Sequence, residues 1–377
     1  MSSLLLSGPT LLADGLIRPM TVTVRDGRIA DLRPGLNPAA DLTTEGVIAP
    51  GFIDLQLNGG YGCDFSVDPS TIAHVATRLP ATGVTGFVPT CITSPIESYT
   101  GWLEAADEAA RVGQGAAALG FHLEGVYFSP HKMGAHNPVY MRPVDVDEIL
   151  TRYVAGPSVR IVTLAPELPG ALEAIRALKA RGIIVSMGHS NATFAEAQAA
   201  IEAGVGWGTH LFNAMRDLKH REPGIAAALL LSDIPVGLIV DGVHLHPAIV
   251  QMAYRLKGAS RITLVTDAMA AMGMPAGVFN LGGYAVIVDE QGAHLESGTI
   301  AGSILTMDGA VRTLIAQSGC TVAEALTMAA RTPADLLGLP NKGRIAQGAD
   351  ADIVVLDPSL HVQATLARGE LLFATGR

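Results

Sequence analysis

The sequence predicts an α/β protein: a (β/α)8 TIM-like barrel with a small β-sandwich domain built from both chain termini. Three observations lead there. Eight short apolar runs recur between residues 51 and 268, several separated by Ala-rich amphipathic segments. The two ends of the chain read instead as strands joined by turns. Apolar content of 49% against 16% charged in 377 residues supplies a large core.

The elements follow in order. Residues 1–48 contain "MTVTVRDGRIADL", an alternating strand, an Asp-Gly turn and a second strand. The eight runs are "FIDLQL" (52–57), "GFVPT" (86–90), "GFHLEG" (120–125), "RIVTLAPE" (160–167), "IIVSMGHS" (183–190), "GWGTHLF" (206–212), "VGLIVDG" (236–242) and "ITLVTDA" (262–268). Segments such as "LEAIRALKA" and "TFAEAQAAIEAG" between them read as helices. Strand–helix alternation implies a parallel sheet. Eight repeats point to a closed barrel, whose chemistry sits at the C-terminal strand ends. A doubly wound open sheet is the alternative. Buried parallel strands also account for the mean hydropathy of +0.35. Residues 277–300 read as a β-hairpin inserted after the eighth strand. Residues 343–357 and 360–374 return to strands and turns. The expected division is 1–48 with 343–377 for the β-domain and 49–342 for the barrel.

Composition excludes some functions. A net charge of -10 argues against non-specific nucleic-acid binding, which needs a basic face. The start, "MSSLLLSGPTLLADG", lacks the basic region and long apolar core of a signal peptide. The most apolar stretch, "GIAAALLLSDIPVGLIV", is broken by Asp233 and Pro235 and falls short of the roughly 20 residues of a membrane span. Neither a membrane nor a nucleic acid is expected as partner. Cys63, Cys91 and Cys320 have no metal-like spacing and suggest a reducing compartment, hence a cytoplasmic location.

Polar residues end four of the runs. Glu124 ends the third, His189 the fifth, His210 the sixth and Asp267 the eighth. Alone, each has a plain explanation: a capping or core histidine, an N-cap or ion-paired glutamate, a turn aspartate. Together at one barrel mouth they make another set. Two imidazoles and a carboxylate suffice for a catalytic divalent metal with open positions. Asp267 would face the water. His246, followed by Pro247, reads as a helix cap.

At these residues the sequence resembles the N-acetylglucosamine-6-phosphate deacetylases of the amidohydrolase superfamily. The matching stretches include "PGFIDLQLNGG", "FHLEG", "GAHNP", "GHSNAT", "THLFNAM", "REPG", "DGVHL", "LVTDA" and "GSILTM", in order over residues 50–307. The resemblance implies Glu124, His189 and His210 as ligands of one divalent metal, Zn(II) or alternatively Fe(II). It implies Asp267 as catalytic acid/base and His136 beside the substrate amide. Ala135, Asn213, Ala214, Arg221, His244 and the loop Ile300, Ala301 and Gly302 would contact the sugar phosphate. Arg221 can come from the neighbouring subunit in this family, so a homodimer is implied. Where one branch of the family carries His-x-His and can hold two metals, this chain has Gln56 and Asn58, placing it in a single-metal branch. Their amides could hydrogen-bond a sugar hydroxyl or a water. Val126 stands where a proline is common, and Ser129, Pro130 and His131 form a variable loop expected at the sugar entrance. The alternatives are a deacetylase of N-acetylgalactosamine-6-phosphate or another N-acyl amino sugar, and an inactive barrel that binds a sugar phosphate.

Overall fold

The computed structural model describes residues 3–112, 114–154, 156 and 158–376. Eight parallel strands follow one another in chain order around a ring: Phe52–Leu57, Val84–Ile92, Phe121–Glu124, Val159–Leu164, Ile184–Met187, Trp207–Gly208, Val236–Leu238 and Ile262–Leu264. The ring closes where Leu57 bridges Ala268 in parallel. There the Asp267 N–H donates to the Gln56 carbonyl at 2.9 Å and the Asn58 N–H to the Ala268 carbonyl at 2.8 Å.

Several strands are shorter than the apolar runs that encode them. The reason lies at their C-terminal ends. His189 and His210 follow the last strand residue by two positions, and both sit in left-handed backbone with φ of 48° and 24°. Asp267 does the same at φ 49°. A non-glycine residue there costs about 1–3 kcal/mol, and such strain gathers where a side chain must be aimed.

Along each strand the side chains alternate. Phe87, Phe121 and Leu264 face the helices and join the large outer core. Val88 and Val265, next to Phe87 and Leu264, join Ile53, Leu55, Ile161 and Trp207 in a second cluster that fills the ring. Two residues further along the same faces come Thr90, Thr163 and Thr209, a polar layer. Barrel interiors pack in such layers. The C-terminal mouth lies one layer above.

Helices cover the ring in the expected alternation. Ala171–Ala180 buries Ala171, Ala174, Ile175 and Leu178, one stripe of its surface. Thr193 and Glu196 form a capping box that starts Phe194–Ala203. The His246 imidazole accepts the Ala248 N–H and caps Pro247–Lys257. The third repeat departs from the pattern. After Phe121–Glu124 the chain runs without a regular element to a short 3-10 turn at Pro138–Tyr140, then to the brief helical segments Val146–Glu148 and Ile149–Tyr153. Part of that loop packs at the C-terminal mouth, where the Ser129 N–H donates to the His189 carbonyl at 3.0 Å.

Residues 277–294 form three antiparallel strands, Gly277–Leu281, Tyr284–Asp289 and Gly292–His294, one more than the hairpin expected. The two termini share one eight-stranded sheet, in which Val47–Pro50 pairs antiparallel with Ile353–Leu356. It wraps a core of Leu6, Val22, Ile29, Ile353, Val355 and Leu366, giving the sandwich. Gly51 links this sheet to the first barrel strand. A Cβ there would lie 2.3 Å from the Thr85 side chain, so the two sheets meet without room for one.

Asp54 clasps the closing seam. Its Oδ2 accepts the Thr266 hydroxyl at 2.5 Å, and its Oδ1 accepts the N–H groups of Gln56 at 3.2 Å and Thr266 at 3.3 Å. Burial outweighs these donors and pushes its pKa up to about 7. A carboxyl raised in the folded state holds its proton while the unfolded chain ionises. Its contribution to stability is therefore full below about pH 4 and is lost as pH rises to about 7, at up to about 1.4 kcal/mol per pH unit. Asp54→Asn should flatten this part of the stability profile, measured as urea midpoints of both proteins between pH 4 and 8.

Candidate active site

Glu124, His189 and His210 converge. The His210 Nε2 lies 3.1 Å from Glu124 Oε1 and 3.0 Å from His189 Nε2, and His189 Nε2 lies 3.4 Å from Glu124 Oε1. All three side chains are buried. Two imidazole nitrogens this close can share at most one proton, so lone pairs face a common point. Three donors about 3.4 Å apart are what bonds of about 2.1 Å to a tetrahedral cation require. His210 Nδ1 is buried without a hydrogen-bond partner among the described residues. A divalent cation is the occupant this donor set suits.

A second combination also gathers: Glu124, His136 and His189 have ligand atoms within 4.8 Å of one another. The hydrogen bonds separate the two histidines. His189 Nδ1 lies 3.1 Å from the Lys132 carbonyl, so Nδ1 carries the proton and donates it, leaving Nε2 a lone pair. His136 Nδ1 instead accepts the Thr93 N–H at 3.3 Å, with the Thr93 hydroxyl at 2.9 Å. Its proton then sits on Nε2, which makes His136 a donor toward the cavity rather than a ligand. Burial, and next the neighbouring His189, hold its pKa well below the usual histidine range, so it is neutral.

The carboxylates divide in the same way. Burial opposes ionisation of Glu124, but its two imidazole neighbours, His189 and His210, outweigh it and hold its pKa well below the usual range. Asp267 is pushed up to about 6, first by burial and then by the Glu124 charge. Gln56 Nε2 donates to Glu124 Oε1 at 2.9 Å and to Asp267 Oδ1 at 3.1 Å, and Asn58 Nδ2 donates to the same Oδ1 at 2.7 Å.

These groups open on a cavity of about 450 Å³, the size of a small-molecule site. Of the residues singled out in the sequence, Asn58, Glu124, Ala135, His136, His189 and His210 line it. So do Asn213, Ala214, His244, Asp267, Ile300 and Gly302. His244 is held by Asp241, whose Oδ2 accepts its Nδ1–H at 2.7 Å.

Four expectations fall elsewhere. Gln56 is fully buried behind the wall. Ala301 is fully buried too and packs with Met269 and Leu281 under the inserted strands. Arg221 is exposed and lines no part of this cavity. Val126, read as part of the sugar entrance, is buried in the outer core, and of that loop only His131 reaches the cavity.

The sequence reading missed some contributors. Lys132 lines the cavity and ion-pairs with the exposed Asp217 at 3.3 Å. Phe128 stacks on His189, with ring centroids 4.2 Å apart. His122 lies in the polar layer beneath, between the hydroxyls of Thr163 at 2.7 Å and Thr90 at 3.4 Å. Its pKa is lowered to about 4 by burial, so it is neutral. Its place two residues before Glu124, on the same strand face, was the available signal.

The ligand assignment has a direct test. His189→Ala and His210→Ala should each lose bound divalent metal by elemental analysis of the purified protein, whereas His136→Ala should keep it. Metal loss in His136→Ala with retention in His210→Ala would exchange the two roles.

The comparisons agree with this geometry. Residues 47–372 match the model of the amidohydrolase family. The chain is 44% identical over 342 residues to the N-acetylglucosamine-6-phosphate deacetylase of Bos taurus, spanning 87% of this chain and 83% of that protein. It is 38% identical to that of Lysinibacillus sphaericus, over 96% of each. A solved structure of a variant of the Mycobacterium smegmatis N-acetyl-D-glucosamine-6-phosphate deacetylase, in complex with N-acetyl-D-glucosamine-6-phosphate, superposes with a TM-score of 0.93 at 38% identity, covering 99% of this chain and 100% of the other. The chain therefore belongs to the amidohydrolase family and, within it, to the N-acetylglucosamine-6-phosphate deacetylases.

Proposed function

We propose that this chain hydrolyses the N-acetyl amide of N-acetylglucosamine-6-phosphate, releasing acetate and glucosamine-6-phosphate. The observation that carries it is the meeting, in one cavity, of a cation-binding triad, a carboxylate with a free oxygen and an imidazole N–H. The names of the relatives fix the substrate class.

Glu124, His189 and His210 would hold one divalent cation, Zn(II) or alternatively Fe(II). When bound, it supplies Lewis acidity that makes water nucleophilic near neutral pH and polarises a carbonyl. The remaining work falls to this chain's own groups. Asp267 takes a proton from the attacking water as the C–O bond forms. The His136 Nε2–H donates to the carbonyl oxygen as charge develops there. Asp267 then gives the proton to the sugar nitrogen as the C–N bond breaks, so one carboxylate serves as base and then acid.

The phosphate needs cationic donors. Lys132 is the lysine or arginine that lines the cavity among the described residues. Arg221, exposed in its own chain, would serve the cavity of a second copy in a homodimer, with a bidentate grip. His244, Asn213 and Ala214, with Ile300 and Gly302, would contact the sugar. We further read residues 49–342 as the catalytic domain and the two ends, 1–48 and 343–377, as one small domain. No helix among the described residues is long and apolar enough to cross a membrane. The three cysteines are free, which fits a cytoplasmic location.

Acetate release from N-acetylglucosamine-6-phosphate by metal-replete protein should exceed release from unphosphorylated N-acetylglucosamine by at least about 10²-fold in kcat/KM. Equal turnover, or faster turnover of the galactosamine epimer, would move the substrate assignment. Asp267→Asn should lose turnover by about 10²–10⁴-fold with metal retained. Arg221→Ala should raise KM for the phosphorylated sugar far more than for the unphosphorylated one, read from parallel kinetics.

A further inference from the structure

Asp267 is a half-buried carboxylate near a fully buried one, Glu124. Left to itself, such a pair would separate or share a proton. Two neutral amides intervene. The Gln56 side chain bridges Glu124 Oε1 and Asp267 Oδ1 with its two N–H groups, and Asn58 adds a third N–H to the same Asp267 oxygen.

We propose that Gln56 and Asn58 form an amide clamp that positions Asp267, holding Oδ1 fixed so that Oδ2 is the oxygen that carries the proton. The proposal rests on the acid/base reading of Asp267. Four features support it. Both N–H contacts between the clamp and the carboxylate go to Oδ1, and Oδ2 has no partner among the described residues. The amide orientations are determined by their surroundings. Turning either one would set its carbonyl oxygen against a carboxylate oxygen, whereas as placed Gln56 Oε1 and Asn58 Oδ1 are buried without partners, a cost that the N–H contacts offset. The clamp is rigid, because both residues lie at the seam that Asp54 and the Leu57–Ala268 bridge hold shut. Finally, Gln56 is fully buried and lines no part of the cavity, so it can reach the reaction only through the groups it touches. An amide N–H₂ also suits the task because it donates at every working pH and never accepts at nitrogen.

Gln56 and Asn58 are thus positioning residues. Gln56→Leu keeps the side-chain volume and removes the donors. In metal-replete protein it should lower kcat by about 10²-fold, with KM within about 3-fold of the parent and metal content unchanged. Asn58→Leu should show the same split, and Asn58→Ser, which keeps a donor, should recover part of the loss. In an Asp267→Ala background Gln56→Leu should cost nothing further, because the two act through one group. Parent-like kcat in both leucine variants, or a rise in KM with kcat retained, would overturn the clamp. Loss of metal in Gln56→Leu would make it a support for Glu124 instead. Asp267→Ala with full turnover would remove the acid/base reading itself, an outcome distinct from failure of the clamp alone.

Discussion

A closed barrel has to join its first strand to its last, and in this protein Asp267, the proposed acid/base, hangs on that join. The ladder between Phe52–Leu57 and Ile262–Leu264 is thin: a bridge at Leu57 and Ala268 and two backbone hydrogen bonds. Asp54 reinforces it from one side, and Gln56 and Asn58 from the other. Asp267 sits on the same few residues, in left-handed backbone. The seam is therefore both closure and mount. What fixes the ring also fixes the carboxylate proposed to reach water and nitrogen in turn.

The opposite wall works by a different rule. Glu124, His189 and His210 come from strands three, five and six, and their lone pairs converge without an intervening proton donor. Such crowding is unfavourable in an empty site and favourable around a cation. The layer beneath absorbs part of the difficulty. Thr163 Oγ1 contacts Thr209 Oγ1 at 2.8 Å, and Thr209 Oγ1 contacts Ser186 Oγ at 2.6 Å, so the floor under the two imidazoles is hydrogen-bonded through. The barrel core is apolar below this floor and polar from it upward.

Much of this was legible in the sequence, and the boundary of legibility is physical. Buried parallel strands write themselves as apolar runs, and a polar residue ending such a run has few reasons to be there; Glu124, His189, His210 and Asp267 stood out on that ground. The partners of Gln56 could not be read, because a cross-barrel hydrogen bond joins residues 68 and 211 positions away with no periodic trace. The choice between Ala301 and Gly302 as cavity wall depends on side-chain direction in an irregular loop, which alternation does not govern. Nothing in the sequence separates Lys132 from an ordinary surface charge. Val126 was misplaced because a position in a loop motif does not say which way the side chain turns, and here it turns to the core.

The long excursion after the third strand has a consequence for how the protein loads. Its Phe128 ring lies against one metal-site imidazole and its Lys132 carbonyl holds the far nitrogen of that same ring, while His131, Met133 and Gly134 face the cavity. One segment thus touches both a member of the proposed cation-binding triad and the cavity itself. If a sugar in the cavity raised the affinity of the triad for a cation through this segment, a bound cation would raise the affinity for the sugar by the same factor.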